Sequence, residues 1–290
     1  MPRHDMQARP ARGARASAEA GAAMSWRFAA STGCCVDRPI AQTLEGLHYA
    51  GIGAAELGTP PRHFDPWSHE QIAQVRRCLA QFSIEPIAIH APFGGLLDLT
   101  DPNPHHRHAA IGATLAAAAA LREVGGSKVV VHVSYVQRDG QKVEERLACG
   151  RQSLQVLARA CRQMQATLVV ETPLPHLIGG HPDEFASVMA SLDRSVGVCL
   201  DTAHTTLGHH WDRFIELVGD RLVHVHANDH RGRFDDHLPP GEGVIDWWHV
   251  RETLLRVGFD GWIVLELACP TAPMATYFGD ALRRAQELFG

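Results

Sequence analysis

The sequence predicts a single-domain α/β protein, a (β/α)8 TIM barrel over residues 24–290, on three observations. From Trp26 onward, apolar strand-like runs alternate with helical patterns without a break. There are eight of each in ~265 residues, the count and length of such a barrel. Strand after strand ends in His, Asp or Glu, where barrel enzymes carry their catalytic groups.

The first strand, 26–31, leads into Ser31-Thr32-Gly33-Cys34, which is not the Gly-rich phosphate turn a doubly wound sheet would need here. A helix over 40–50 and a strand over 51–57 follow, the strand closing on Ala-Ala-Glu56-Leu-Gly. Beyond a helix at 68–82, the strand 86–91 runs Ile87-Ala88-Ile89 into His90. The helix 105–124 contains an alanine run at 116–120, strong helix former rather than low complexity. Val129-Val130-Val131 ends at His132 in the strand 128–134, and a helix spans 143–165. In the strand 167–172, Leu168-Val169-Val170 ends at Glu171; Asp183, after His181-Pro182, then marks the start of a helix over 182–192. The strand 196–201 delivers Asp201, with His204 three residues on, before a helix over 209–218. The strand 222–227 places His224 and His226 on one face, His226 nearer the mouth, so His226 is the better ligand and His224 a core residue. Asp246 opens a helix over 246–257, where Trp247 and Trp248 read as core packing, and Ile263-Val264-Leu265 brings Glu266 before the last helix, 274–289.

A carboxylate or imidazole beside a fully apolar strand costs several kcal/mol unless something pairs with it. Several such strand ends imply one convergent polar site, and His, Asp and Glu together imply a divalent metal. Net charge is −5 and lysine is confined to Lys128 and Lys142, so the chain carries no electrostatic footprint for nucleic acid and no obvious Schiff-base lysine. The seven cysteines form no CxxC pair, which argues against a zinc ribbon or disulfide framework and fits a reducing cytoplasm; Cys161 and Cys199 read as buried thiols. No apolar run is long enough for a membrane span. Residues 1–23, rich in Ala, Arg and Gly, lack the apolar region of a secretory signal and read as a disordered extension, with Met24 as a candidate start; an organellar presequence is the lesser alternative.

The motifs His90-Ala-Pro-Phe, Val131-His132-Val-Ser, Val170-Glu171-Thr, Cys199-Leu-Asp201-Thr-Ala-His204, His226-Ala-Asn-Asp229, Asp235-Asp-His237-Leu-Pro-Pro-Gly-Glu-Gly243 and Leu265-Glu266 follow in this order at barrel spacing. Together they resemble the xylose isomerase-like TIM barrel superfamily, which contains endonuclease IV and many sugar isomerases and epimerases, and the resemblance covers essentially all of 26–290. Its endonuclease IV branch implies three zinc ions: one on His90, His132 and Glu171, a second bridged by Glu171 to Asp201, His226 and Glu266, a third on His204, Asp235 and His237. Its sugar branch implies one Mn²⁺, Mg²⁺ or Co²⁺ on Glu171, Asp201, His226 and Glu266, with the two glutamates exchanging the substrate proton. Either way the cofactor is one to three divalent ions (Zn, Mn or Co), and His204 and His237, 33 residues apart, are expected to come close in space.

Substrate contacts are expected from His90 and His204, and from Glu56 and Arg233, although Glu56 reads equally as a structural ion pair and Arg231 and Arg233 as solvated. Asn228 and Asp229 are expected to orient His226, and His176, His181, His209, His210 and His230 to be solvated loop residues. The loop Leu238–Gly243 is stiff then flexible and is expected to fix Asp235 and His237. The reading is a metal-dependent isomerase or epimerase of a small sugar, sugar phosphate or polyol, with a trinuclear zinc phosphoesterase as the alternative. Retention of His204, Asp235 and His237 favours the alternative; the acidic charge and scarce lysine favour the small substrate. A metal-stabilised scaffold without catalysis fits poorly with ligands ringing an open barrel mouth. Nucleic acid and membrane partners are not expected, and a homo-oligomer is compatible with the sequence.

Overall fold

A computed structural model describes residues 26–60, 62–138 and 142–290. The expected extension at 1–23 lies outside the described residues. Eight parallel strands close into a barrel in sequence order: β1 (Arg27–Ser31), β2 (Ala54–Gly58), β3 (Glu85–His90), β4 (Lys128–His132), β5 (Thr167–Glu171), β6 (Gly197–Asp201), β7 (Leu222–Ala227) and β8 (Trp262–Leu265). The helices outside it are α1 (Ile40–Tyr49), α2 (His69–Phe82), α3 (Pro104–Val124), α4 (Val143–Gln163), α5 (Pro182–Ala190), α6 (Thr202–Leu207), α7 (Trp211–Val218), α8 (Trp247–Arg256) and α9 (Met274–Phe289). No helix among the described residues is long and apolar enough to cross a membrane.

Strand alternation divides the core in two. Val129, Val131, Leu168, Val170, Val198, Leu200, Ile263 and Leu265 face outward and pack under the helices. Val130, Val169, Cys199 and Val264, with Ala29, Ala54, Ile87 and Ala88, form a separate cluster inside the barrel. At ~25 cal/mol per Å² of apolar surface, these two layers supply the main driving force for closure. Helix starts follow local signals: Ser68 caps α2, Asn103 caps α3 with Pro104 following, and Asp246 caps α8 by accepting from the His249 amide.

Three differences from the sequence expectation bear on the site. β2 starts at Ala54 rather than 51, because Gly51 turns with φ of 79°. β8 ends at Leu265, so Glu266 stands just past the sheet. The short α6 is additional; it starts where Asp201 itself serves as N-cap, accepting from the His204 amide at 2.7 Å.

At the opposite, N-terminal end of the barrel, buried Arg221 donates to Val196 O (3.0 and 2.8 Å), Met189 O and Asp193 O, tying the α5–β6 connection to the start of β7. Arg221→Ala strips three carbonyls of their donor in a tight place, so a loss of about 2–4 kcal/mol is expected. Denaturant unfolding tests this; a change under ~0.5 kcal/mol, ordinary for a surface site, would show the clasp to be incidental.

Candidate metal centre

Adding two residues to each inner-layer position raises the side chain one level toward the mouth. From Val130, Val169, Cys199 and Val264 this leads to His132, Glu171, Asp201 and Glu266. On β7 the same step leads from His224 to His226, and on β3 from Ala88 to His90. The registers match, with His132 opposite Glu171 and Asp201 opposite His226. A ring of imidazoles and carboxylates thus sits directly on an apolar plug.

Glu171 is the hub. Its Oε2 meets His90 Nε2 at 3.0 Å and His132 Nε2 at 3.5 Å. Its Oε1 meets His226 Nδ1 at 3.1 Å, and the same nitrogen lies 3.1 Å from Glu266 Oε2. Besides a deeper group of Glu56, His224 and His226, two groups nearer the mouth have their ligand atoms mutually within 4.8 Å: His90, His132 and Glu171, and Glu171, Asp201, His226 and Glu266. Glu171 belongs to both, as a bridging carboxylate would. Burial alone would raise its pKa, but His132 and His226 more than offset this and hold the carboxyl well below its ordinary range. Asp201 goes the other way, pushed up to about 6 by burial, with the neighbouring carboxylates adding to it.

The ring nitrogens are set before any ligand arrives. Carbonyls only accept, so each histidine bonded to one must donate from that nitrogen. His90 donates Nδ1–H to Ala91 O (3.1 Å), His204 to Thr172 O (2.8 Å) and His237 to Glu266 O (2.9 Å). This leaves Nε2 of all three facing inward, against Glu171 Oε2 for His90 and Asp235 Oδ2 for His204 and His237, as the atom that would ligate a metal. His226 is reversed: its Nε2 lies 3.1 Å from Glu56 Oε1 and its Nδ1 faces the centre.

His204, Asp235 and His237 also come together. Asp235 Oδ2 lies 3.2 Å from His204 Nε2 and 3.0 Å from His237 Nε2, while Asp235 Oδ1 is buried without a hydrogen-bond partner. A carboxylate between two preset imidazoles, with its second oxygen unpartnered, suits a cation. His237 has φ of 47°, rare for a residue with a Cβ, and its backbone O accepts from the Ala268 amide. Asp229 shapes this loop. It accepts from the amides of His230, Gly241 and Ile245 and from Trp247 Nε1, and exchanges backbone hydrogen bonds with Leu238. Gly243 passes so close that a Cβ there would meet Asp229 Oδ1 at 2.2 Å. Asp229 therefore anchors the 238–247 loop and does not orient His226. Asn228 instead donates to Asp201 Oδ2 at 2.8 Å.

Glu56 lies deeper than expected. On β2 the residue paired with His90 is Gly58, and Glu56 pairs one step down with Ala88. Its fully buried carboxylate bonds His224 Nε2 at 2.9 Å and faces His226. Burial opposes its ionisation, yet the two imidazoles hold it well below the usual carboxylate range. Glu56 therefore meets the underside of His226 and does not line the cavity. Arg233 does not line it either; it is exposed, over the Phe234 ring. His230 is buried, 2.9 Å from Thr206 Oγ1, and not solvated as expected, and Trp248 is exposed rather than in the core.

Above the ring opens a cavity of about 820 Å³ lined by His90, His132, Glu171, His204, Asp235, His237 and Glu266 at its floor. Its walls include Trp67, Phe93 and Tyr135, which sequence reasoning missed. Only Phe93 gave a signal, standing three residues after His90; its ring centroid lies 4.3 Å from that of His132.

The model of the family described as "Xylose isomerase-like TIM barrel" matches residues 44–288. A probable endonuclease 4 of Thermoplasma acidophilum is 24% identical over 227 residues, 69% of this chain and 77% of that protein. Among solved structures, a D-tagatose 3-epimerase-like protein superposes with a TM-score of 0.77 at 21% identity, covering 91% of this chain and 98% of that one. D-Psicose 3-epimerase with D-tagatose from Clostridium cellulolyticum H10 gives 0.75 at 17%, covering 91% and 99%. With the motifs in order on six consecutive strands, β3 to β8, and the family model spanning all but the first strand, the chain belongs to the xylose isomerase-like TIM barrel family.

Proposed function

We propose that this chain is a divalent-metal-dependent isomerase or epimerase of a small sugar or polyol, working by proton transfer between Glu171 and Glu266. The observation that carries the reading is the convergence of both glutamates on His226 Nδ1 beside Asp201, at the floor of an open cavity. The donors are oxygen and imidazole nitrogen without thiolate, which suits Zn²⁺, Mn²⁺ or Co²⁺. Glu171, Asp201, His226 and Glu266 would hold the ion, which when bound acidifies the C–H beside a chelated carbonyl. Glu171 and Glu266, both held toward the ionised form against burial, would take the proton from carbon and return it. His90 would steady Glu171 Oε2 and present its ring to a substrate hydroxyl. The similarity to two sugar epimerase structures supports the same chemistry.

A second reading, a trinuclear zinc phosphoesterase, is favoured by the assembled His204–Asp235–His237 trio with its orphaned oxygen and by the likeness to an endonuclease 4. Against it stand a net charge of −5 and a cavity with no Lys or Arg lining it among the described residues. Metal-stripped protein reloaded with Mn²⁺, Co²⁺ or Zn²⁺ should convert at least one ketose or aldose of a panel, and lose that activity in chelator. About three tightly held zinc ions per chain, with cleavage of an abasic-site duplex and no sugar turned over, would overturn the proposal.

Glu56→Gln tests the support beneath the ion. It keeps the volume but removes the charge facing His224 and His226. Stability should fall by about 3 kcal/mol, as for a broken buried pair, and Mn²⁺ affinity by ~10–100-fold, as when a carboxylate behind a ligating histidine is lost. Calorimetric titration with Mn²⁺ reads the second effect; wild-type affinity would remove Glu56 from the site.

A further inference from the structure

The cavity's carboxylates all belong to the ligand cluster, and most of the remaining lining is apolar. Above the ligand cluster the walls are Val36, Trp67, Phe93, Leu97, Leu174 and Leu177. Trp67 and Phe93 leave 59% and 53% of their surface exposed beside the opening, apolar area that a monomer has little reason to keep uncovered. Of the other polar side chains around it, Thr59 is committed to His90 O at 2.7 Å, Tyr135 to Gly95 O and Ser31 to the Gly33 amide at 3.2 Å, and His176 adds one exposed imidazole to the lining. The volume, about 820 Å³, lies toward the upper end of the ~300–1,000 Å³ of sites that enclose drug-sized molecules. A free hexose is polar on every side. Seated on the ligand cluster it would leave most of this space empty, and hydroxyls turned to the walls would lose their hydrogen bonds to water. One aromatic wall could stack on a sugar ring; four aliphatic side chains cannot.

No Lys or Arg lines the cavity among the described residues. Of the arginines around the mouth, Arg138 pairs with Glu184, Arg146 of α4 with Asp98 and Arg231 with Asp236, Arg38 reaches Pro270 O and Arg233 lies over Phe234, while Arg62, exposed between Pro60 and Trp67, does not line the cavity. A phosphate would meet acidic groups at the floor and hydrocarbon at the walls.

Building on the metal-dependent isomerase reading, we propose that the substrate is an uncharged sugar head that keeps its carbonyl and carries an apolar substituent of aromatic size, such as an aryl ether of a ketose or aldose, with the head on the ligand cluster and the substituent between Trp67, Phe93 and the leucines. Glycosides, which lack the carbonyl, serve as non-reacting probes of the same two ends. Neither a free sugar nor a sugar phosphate has the chemistry of both ends.

The test is calorimetric titration of the Mn²⁺-loaded protein with paired methyl and phenyl β-D-glucopyranosides, galactopyranosides and xylopyranosides, beside glucose 6-phosphate. At least one phenyl glycoside should bind ~10-fold or more tightly than its methyl partner, the gain expected from burying a ring. In Trp67→Ala that ratio should fall at least ~3-fold; Trp67 is exposed, so folding is not at stake, and Phe93→Leu gives an independent check. Equal affinities, tightest binding of the phosphate, no binding of any phenyl glycoside, or an unchanged ratio in both variants would overturn the proposal. So would a wild-type dimer that Trp67→Ala dissociates in light scattering, since the apolar rim would then be a contact between copies. Metal content of the same samples separates the two readings. A chain that takes no Mn²⁺ but prefers phenyl glycosides fails the metal reading alone, and a loaded chain without preference fails this one alone.

Discussion

Glu171→Gln is expected to lower kcat/KM at least ~100-fold, the scale of a lost acid–base group, and to lose metal as well. The side chain keeps its volume, so the apolar plug of Val130, Val169, Cys199 and Val264 beneath it is undisturbed. What changes is the number of acceptor atoms. The carboxylate offers Oε2 to His90 and His132 and Oε1 to His226 at once. A glutamine must turn its NH2 toward one of these partners, and neither a cation nor an N–H donor tolerates that. An amide also cannot take a proton from carbon at neutral pH. Two losses should therefore appear together, in catalysis by steady-state kinetics and in bound metal by elemental analysis. If the folded variant keeps most of its activity and its ion, Glu171 is not the hub and the site lies elsewhere.

What the sequence made legible followed from counting. Period-two alternation along short apolar strands placed His132, Glu171 and Asp201 at strand ends, and the backbone obeys the same parity there. The counting failed where the chain leaves regular structure. On β2, the turn at Gly51 moves the strand start by three residues, and the position level with His90 belongs to Gly58, whose Cβ would meet Gly33 Cα at 2.4 Å. Glu56 consequently looks like a mouth residue in the sequence and is a buried support in the fold. Asp229 shows the same limit. Its position three residues after His226 suggested a partner for that imidazole, but its acceptors are taken by amides up to 16 residues further on. Such long-range clasps have no local pattern. Nor did the wall aromatics Trp67 and Tyr135, because a loop side chain's direction depends on how the loop packs rather than on periodicity.

Acidic charge and the charge-free cavity wall also bear on the choice between carbon and phosphorus chemistry. Duplex DNA carries one negative charge per ~1.7 Å, and proteins that bind it normally draw on several basic contacts. This chain has two lysines in all, and Arg138, Arg146, Arg231 and Arg233 around its mouth are paired with carboxylates or lie over a ring. An uncharged substrate incurs no such repulsion.

Turnover in D₂O is expected to place deuterium at one carbon of the product or the recovered substrate, and this is the all-or-none consequence of the proposed mechanism. A proton lifted from carbon onto a carboxylate exchanges with solvent before it is returned, provided the site opens between events. Glu266 is 17% exposed at its side chain, while Glu171 is 1% exposed beneath it. The more open carboxylate should therefore exchange faster, and label should enter mainly on the face that Glu266 serves. Glu266→Gln should then cut wash-in of deuterium more than ~100-fold, the loss expected for an absent base. A phosphoesterase would leave every carbon unlabelled and put solvent oxygen into phosphate instead. Mass spectrometry and proton NMR of one reaction decide the matter. Sugar conversion with no carbon-bound deuterium would mean that the hydrogen returned is the one removed, and the assignment of Glu171 and the more open Glu266 as a two-base pair would fall with it.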